Sequence, residues 1–420
     1  MKYSRQTSAI KTSKFVLVLV GLGLCLLTVS FSGYSNSDIK TVAEEDFNKL
    51  HIEWMDQFWV YLESSDTAQF RIYSAIHLLE SSDNATKERG EKLIDEVLST
   101  PFPDPASLWL ISANCSPGKS SDGCQPAGLY DMLRRADPGN MAVQLLQLGQ
   151  PGVINAAELL DTEANRQLLL AAAETDRFDI YWGRNADSLY AEAFDYVVKH
   201  PAPPVPDEML PLLPSGFPSA FPDHALALQI TLTMNTISPN APYASILDLC
   251  REQIRQQRKE TIGACKKIAG IMRSQSLSFT SQNIGYAMEK TMLAIIDPDD
   301  PDIQKWWQRQ QVFHIQFSCT LQGWLNHVER WSDIDQETMM AYAKNLSELG
   351  ELRSLMLLNL QDYAVSPEYF SVNPAECEKL QYLDDAAIAL FLNGENAQDA
   401  WQTMQIEAGE IETGKIKREP

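Results

Sequence analysis

Positive charge is scarce in this chain, ordered glycine patterns are missing, and apolar residues hardly ever alternate with polar ones. Lys and Arg number 34 against 56 Asp and Glu in 420 residues, a formal net charge of -22. Four of the cations, Lys2, Arg5, Lys11 and Lys14, precede the first apolar run, so beyond residue 32 the balance is 30 against 56, or -26. A surface of that sign repels phosphate backbones and anionic head groups, and it lacks the basic footprint of a nucleic-acid binder. The 20 glycines include no Gly-x-x-x-x-Gly-Lys-Ser/Thr phosphate loop and no strand-led Gly-x-Gly-x-x-Gly. His-Glu-x-x-His, Gly-x-Ser-x-Gly and Cys-x-x-Cys are also missing. The expectation is therefore a chain with no catalytic residue, no cofactor and no metal ligand that sequence can name. At 45% hydrophobic and 21% charged it is still an ordinary globular mixture, which excludes a collagen-like or disordered chain.

What is present begins with an address. The apolar run Phe15 to Phe31 follows a basic stretch and precedes small polar residues from Ser32 to Ser37, the layout of a secretory signal. Its 17 residues also reach the lower limit for spanning a bilayer, so residues 1–32 read as a signal peptide or as an N-terminal membrane anchor. Ser30 and Ser32 supply the small side chains a signal peptidase reads. Cys25 is preceded by Leu24 and lies mid-run, unlike a lipid-attachment cysteine. The expected location is extracytoplasmic, periplasmic if the source is bacterial, with a tether to the inner membrane through Phe15–Phe31 as the second form.

Six cysteines lie beyond that segment, an even number suited to an oxidising compartment. Cys115 and Cys124 flank the turn-rich stretch Ser116–Gly123 and form the first expected pair. Cys250 and Cys265 would stand about 22 Å apart on one continuous helix, so a bridge requires a bend between them. Thr261, after the polar string Arg255–Glu260, is the expected N-cap of the second arm of a helical hairpin. Cys319 and Cys377 remain as the long-range pair by elimination, or as buried thiols.

Phe47, Leu50, Trp54, Phe58 and Leu62 recur at helical spacing and predict an amphipathic helix with that stripe in the core. Comparable stripes follow through Phe70–Leu79, Leu93–Leu98, Leu108–Ile111, Leu129–Leu133, Met141–Leu148, Leu168–Ala173 and Leu189–Val197. The expected class is all-α, with antiparallel helical hairpins stacked as a solenoid or as an irregular array. Between Pro201 and Pro222 eight prolines interrupt any helix, and the domain boundary is placed there. Helices resume at 223–237, 242–257, 261–273, 279–296, 301–331, 335–348, 350–364 and 374–393. The chain thus divides into helical regions 33–200 and 223–393, a connecting segment 201–222 and a polar tail, 394–420.

The stretch Leu133–Val143, with its Asp137-Pro-Gly-Asn140 turn, resembles the boundary between two tetratricopeptide-like helical repeats, and Ala171–Asp179 looks like a helix end and loop inside such an array. The full 34-residue repeat pattern does not run through any window. The chain is also similar in outline to a group of exported helical bacterial proteins with a cysteine-flanked turn. The first resemblance implies a stacked helical fold, and neither implies an activity.

Three constellations invite chemistry. His314, Cys319 and His327 are scattered round one predicted helix and do not share a face for zinc. Asp297–Asp302 concentrates four carboxylates, but two prolines break the spacing of a calcium loop, and the acids read as a cap for the next helix. Trp306, Trp307, Phe313, Phe317, Trp324 and Trp331 form the densest aromatic stretch, either core packing or a platform for a sugar or peptide. The leading expectation is an exported, non-enzymatic scaffold for a protein or peptide of the cell envelope. The alternative is an envelope hydrolase, which requires an acid enclosed among those aromatics.

Overall fold

The computed structural model describes residues 42–114, 126–149, 161–207, 209–210, 220–236, 240–296, 301–320, 334–365, 367, 373–384 and 386–388. In chain order the helices are α1 Val42–Glu63, α2 Ala68–Leu79, α3 Asn84–Leu98, α4 Pro105–Asn114, α5 Pro126–Ala136, α6 Met141–Leu145 and α7 Glu163–Ala173. They continue as α8 Ala186–Lys199, α9 Asp223–Thr236, α10 Tyr243–Arg255, α11 Lys259–Gln275 and α12 Phe279–Ile296. The last are α13 Pro301–Thr320, α14 Gln336–Leu349, α15 Glu351–Val365 and α16 Pro374–Lys379. Among the described residues there is no strand, only an isolated parallel bridge between Asn140 and Arg177, so the fold is all-α. Several starts are fixed by short polar side chains that answer otherwise orphaned N–H groups. Asp83 accepts from Thr86 N–H for α3, Thr162 from Asn165 N–H for α7 and Asp335 from Thr338 N–H for α14.

Successive helices pack pairwise, α1 on α2, α2 on α3, α8 on α9, α11 on α12 and α14 on α15. Two further contacts ignore sequence order: α7 lies on α11, and α8 on α14. A strict nearest-neighbour stack does not bring such helices together, so the described residues form an irregular helical array. One cluster of buried apolar residues runs from Trp54 to Leu358, with members on both sides of segment 201–222. Ala202 and Phe221 of that segment pack against the cluster, Met209 is buried, and Trp54 Nε1 donates to the His200 carbonyl at 2.7 Å. The helical regions on either side share this core. A smaller cluster gathers Val312, Ile315, Cys319, Cys377, Leu380 and Ile388.

Cys250 on α10 and Cys265 on α11 lie at disulfide distance, with Cα atoms 5.8 Å apart. The chain reverses between them at Gln256–Arg258, where Gln257 takes a φ of 56°. The expected cap is displaced: α11 starts two residues before Thr261, and Thr261 is buried with its hydroxyl donating to Gln253 Oε1 and the Arg258 carbonyl. Arg258 also reaches Asp161, which accepts from Arg166 and Gln253 as well, tying the hairpin turn to the start of α7. Cys319 on α13 and Cys377 on α16 are likewise at disulfide distance, their Cα atoms 6.1 Å apart. Cys115 and Cys124 lie outside the described residues, as do residues 1–41 and 389–420. No helix among the described residues is long and apolar enough to cross a membrane. The expected helix 374–393 ends early, at Lys379; after a 3-10 turn Leu383 is extended, and the Asp384 carboxylate accepts from Ala387 N–H.

Candidate functional site

One densely hydrogen-bonded polar cluster joins the two turns that the sequence marks as helix boundaries. Asn140 caps α6 by accepting from Ala142 N–H at 3.1 Å, and the same oxygen accepts from Asp179 N–H at 3.0 Å. Its amide nitrogen donates to the Asp179 carbonyl at 2.8 Å, to Asp137 Oδ2 at 3.2 Å and to the Tyr181 hydroxyl at 3.2 Å. Tyr181 donates in turn to the Asp137 carboxylate, which also pairs with Arg177. Arg184 stands 5.3 Å over the Tyr181 ring and 3.8 Å from Asp179. Tyr181 adopts a φ of 57°, which L residues rarely take, and its N–H donates to Asp179 Oδ1 at 2.7 Å. Burial raises the Asp179 carboxyl above its ordinary value against the pull of Tyr181 N–H, Arg184 and Arg177. Two carboxylates, a tyrosine and two arginines are an inventory suited to acid–base work. Here, however, the named groups answer one another, and the arrangement acts as a brace between α6 and the loop after α7.

A second cluster surrounds Trp306. The Arg273 and Arg309 guanidinium groups each lie 5.0 Å from its ring, and Arg273 is 5.5 Å from Tyr286. Glu289 accepts from Arg273 Nε at 2.8 Å, and burial raises its carboxyl against the attraction of Arg273 and Arg309. An acid therefore reaches the aromatics through Arg273, supplied by α12 instead of by the aromatic helix, and it is held as an ion pair. Phe313 and Phe317 stack on Phe279 with centroids 5.3 and 3.4 Å away, so these two serve packing between α12 and α13. Trp307 is exposed. Trp324, Trp331, His327 and residues 297–300 lie outside the described residues. Burial and the charge of Lys290 lower His314, and Cys319 beyond it faces Cys377. Among the described residues no group of three or more His, Cys, Asp or Glu could hold a metal ion.

A third feature is a single carboxyl. Gly350, at a φ of 83°, brings the start of α15 against Leu277 so closely that an added Cβ would lie 2.5 Å from its carbonyl oxygen. Glu351 N–H donates to that carbonyl at 2.9 Å, and Glu351 Oε2 accepts from Phe279 N–H at 3.0 Å, at the start of α12. Burial pushes the Glu351 carboxyl up to about 7, with the Phe279 N–H opposing the rise. The electrostatic field of Glu351 also reaches Tyr243 and Tyr342.

The fourth feature is a concavity. Asp46, Phe47 and Leu50 on α1 face Pro203, Pro204, Val205, Pro206, Asp207 and Ala220 across a groove of about 630 Å³. Prolines preset an extended backbone here, which is why a wall and not a helix forms. The same stripe of α1 buries Trp54, Phe58 and Leu62 completely or nearly so, yet Leu50 is 52% exposed. The expected core position at Leu50 is corrected accordingly: among the described residues the stripe extends beyond those that bury it.

No family model matches the chain, and no curated protein or solved structure is significantly similar to it. Of the residues singled out by sequence, the fold brings Cys250 and Cys265, and Cys319 and Cys377, to disulfide distance, and among the described residues His314 belongs to no group that could hold a metal. Glu289, Glu351 and the Asp137–Asn140–Tyr181 node carried no motif. Their only sequence signal was the turn at Asp137–Asn140.

Proposed function

We propose that the protein is an exported, non-enzymatic helical scaffold of the cell envelope that binds a protein or peptide partner. What carries this reading is a contrast within the described residues. The clusters of ionisable groups at Asp137 and Glu289 are committed to internal ion pairs, whereas the apolar groove beside α1 faces solvent. Pairs already satisfied stabilise a fold but leave little free for reaction, while an apolar concavity is the ordinary form of a recognition site. Export draws its support from the basic-then-apolar N-terminus and from two cysteine pairs held at disulfide distance.

The test is fractionation of cells expressing the full chain, followed by cross-linking of the intact envelope. The expected result is protein outside the cytosol with a discrete cross-linked partner. Cytosolic protein, or exported protein that never yields such a product, would refute the reading. The hydrolase alternative draws on Glu289, linked to Trp306 through Arg273. It moves ahead only if purified protein releases fragments from cell-wall glycan or peptide and Glu289→Gln abolishes that release.

A further inference from the structure

We propose that the groove between α1 and residues 203–207 is a docking site for an extended peptide segment that carries apolar side chains next to lysine or arginine. This rests on the scaffold reading and names the class of partner.

Shape argues first. The groove is about 630 Å³, a size that accommodates a few side chains, and its apolar floor continues the α1 stripe at Phe47 and Leu50. The wall is prefixed. Tyr196 hydroxyl donates to the Trp54 carbonyl at 2.7 Å and Trp54 donates to the His200 carbonyl at 2.7 Å, so α1, α8 and the start of the prolyl wall are pinned together beside the site. A preformed site loses less entropy on binding.

Polarity argues next. Pro203, Pro204 and Pro206 bring no N–H to the wall, and the Pro206 carbonyl already accepts from Met209 N–H. The remaining backbone polarity there is dominated by acceptors, which a partner meets with donors such as lysine, arginine or the N–H groups of an extended chain. Among the described lining residues the charges are Asp46 and Asp207, both exposed and both negative. His51, stacked on Phe47 and tilted against Trp54, is held by burial below its usual value and so adds no opposing charge at neutral pH. Two rim acids on a chain of net charge -22 steer a cationic partner inward and turn an acidic peptide or an anionic lipid surface away.

The experiment uses the full chain and a fluorescein-labelled decapeptide alternating leucine and lysine, with a leucine–glutamate counterpart and phosphatidylglycerol vesicles as the other arms. Anisotropy is read for the unaltered protein, for Leu50→Glu and for Asp46→Lys/Asp207→Lys. All three positions are exposed, and unchanged helical circular dichroism confirms that the variants fold. The expected result is binding of the leucine–lysine peptide, weakened roughly tenfold or more by either variant, with no binding of the acidic peptide or the vesicles. Equal affinity for all three proteins, absence of leucine–lysine binding, or binding of the acidic peptide or vesicles would overturn the proposal. If envelope cross-links persist in Leu50→Glu, the scaffold reading stands and the groove alone is discarded.

Discussion

Replacing Glu351 with glutamine should make the protein more stable at pH 8 and leave it nearly unchanged at pH 4. The carboxyl has an ordinary value of 4.5 and is pushed up to about 7 by burial between α12 and α15. Folding therefore favours the protonated acid. Below about pH 4.5 both folded and unfolded chains hold the proton, and Glu351 costs nothing. As pH rises from 4.5 to about 7 the unfolded chain gives up its proton first, so stability falls, and above 7 the loss levels off. The full difference corresponds to about 3 kcal/mol. Glu351 is half-buried, and solvent screening brings the expected loss to roughly 1–3 kcal/mol. Glutamine keeps the oxygen that accepts from Phe279 N–H and removes the ionisation. Guanidinium unfolding of both proteins at pH 4, 6 and 8 measures the effect, read from midpoints at constant slope. A gap between the two proteins that stays flat across that range would refute the reasoning, as would a gain in unaltered-protein stability relative to the variant with rising pH.

Bonding of Cys250 to Cys265, with a separation of 15, should contribute about 3 kcal/mol, and Cys319 to Cys377, with a separation of 58, about 4 kcal/mol. Non-reducing peptide mapping should find both linkages, and six freely reactive thiols would refute them. Asn140→Ala strips the Asp179 N–H, the Asp179 carbonyl and the Tyr181 hydroxyl of a buried partner at once, with an expected cost of roughly 2–4 kcal/mol in thermal or denaturant unfolding. A change below about 0.5 kcal/mol would mean that the brace between α6 and the loop after α7 contributes little.

Much of the helical architecture can be read from the spacing of large apolar residues. Trp54, Phe58 and Leu62 are buried as their period predicts, and the stretch 279–296 is a helix with the expected limits. Periodicity reports one helix at a time, however, and is silent on which helices meet. Nothing in the order of residues indicates that α8 lies on α14, or that Leu50 falls where cover runs out. The polar sites were hidden for the same reason. Asp137 and Asn140 read as a turn, but their partners Arg177, Asp179 and Tyr181 stand about forty residues on, and no local pattern links the two. Glu351 is one of 56 acids, distinguished only by the enclosure that Gly350 and Leu277 create. The bend between Cys250 and Cys265 was legible because a disulfide sets a hard distance limit; the starting residue of α11 was not, because Gln253, Arg258 and Thr261 share one buried network there.

The placement of α14 on α8 bears on how the molecule is born. At Lys199 the ribosome or export channel has released α8, but 136 residues separate it from Gln336, where its covering helix starts. At common translation speeds that wait lasts roughly 7 to 27 s. Throughout it α8 can pack on α9 but lacks α14, which also covers it. A nascent chain of this kind is sticky in mid-synthesis, and it is in that interval that a holdase would find its footing.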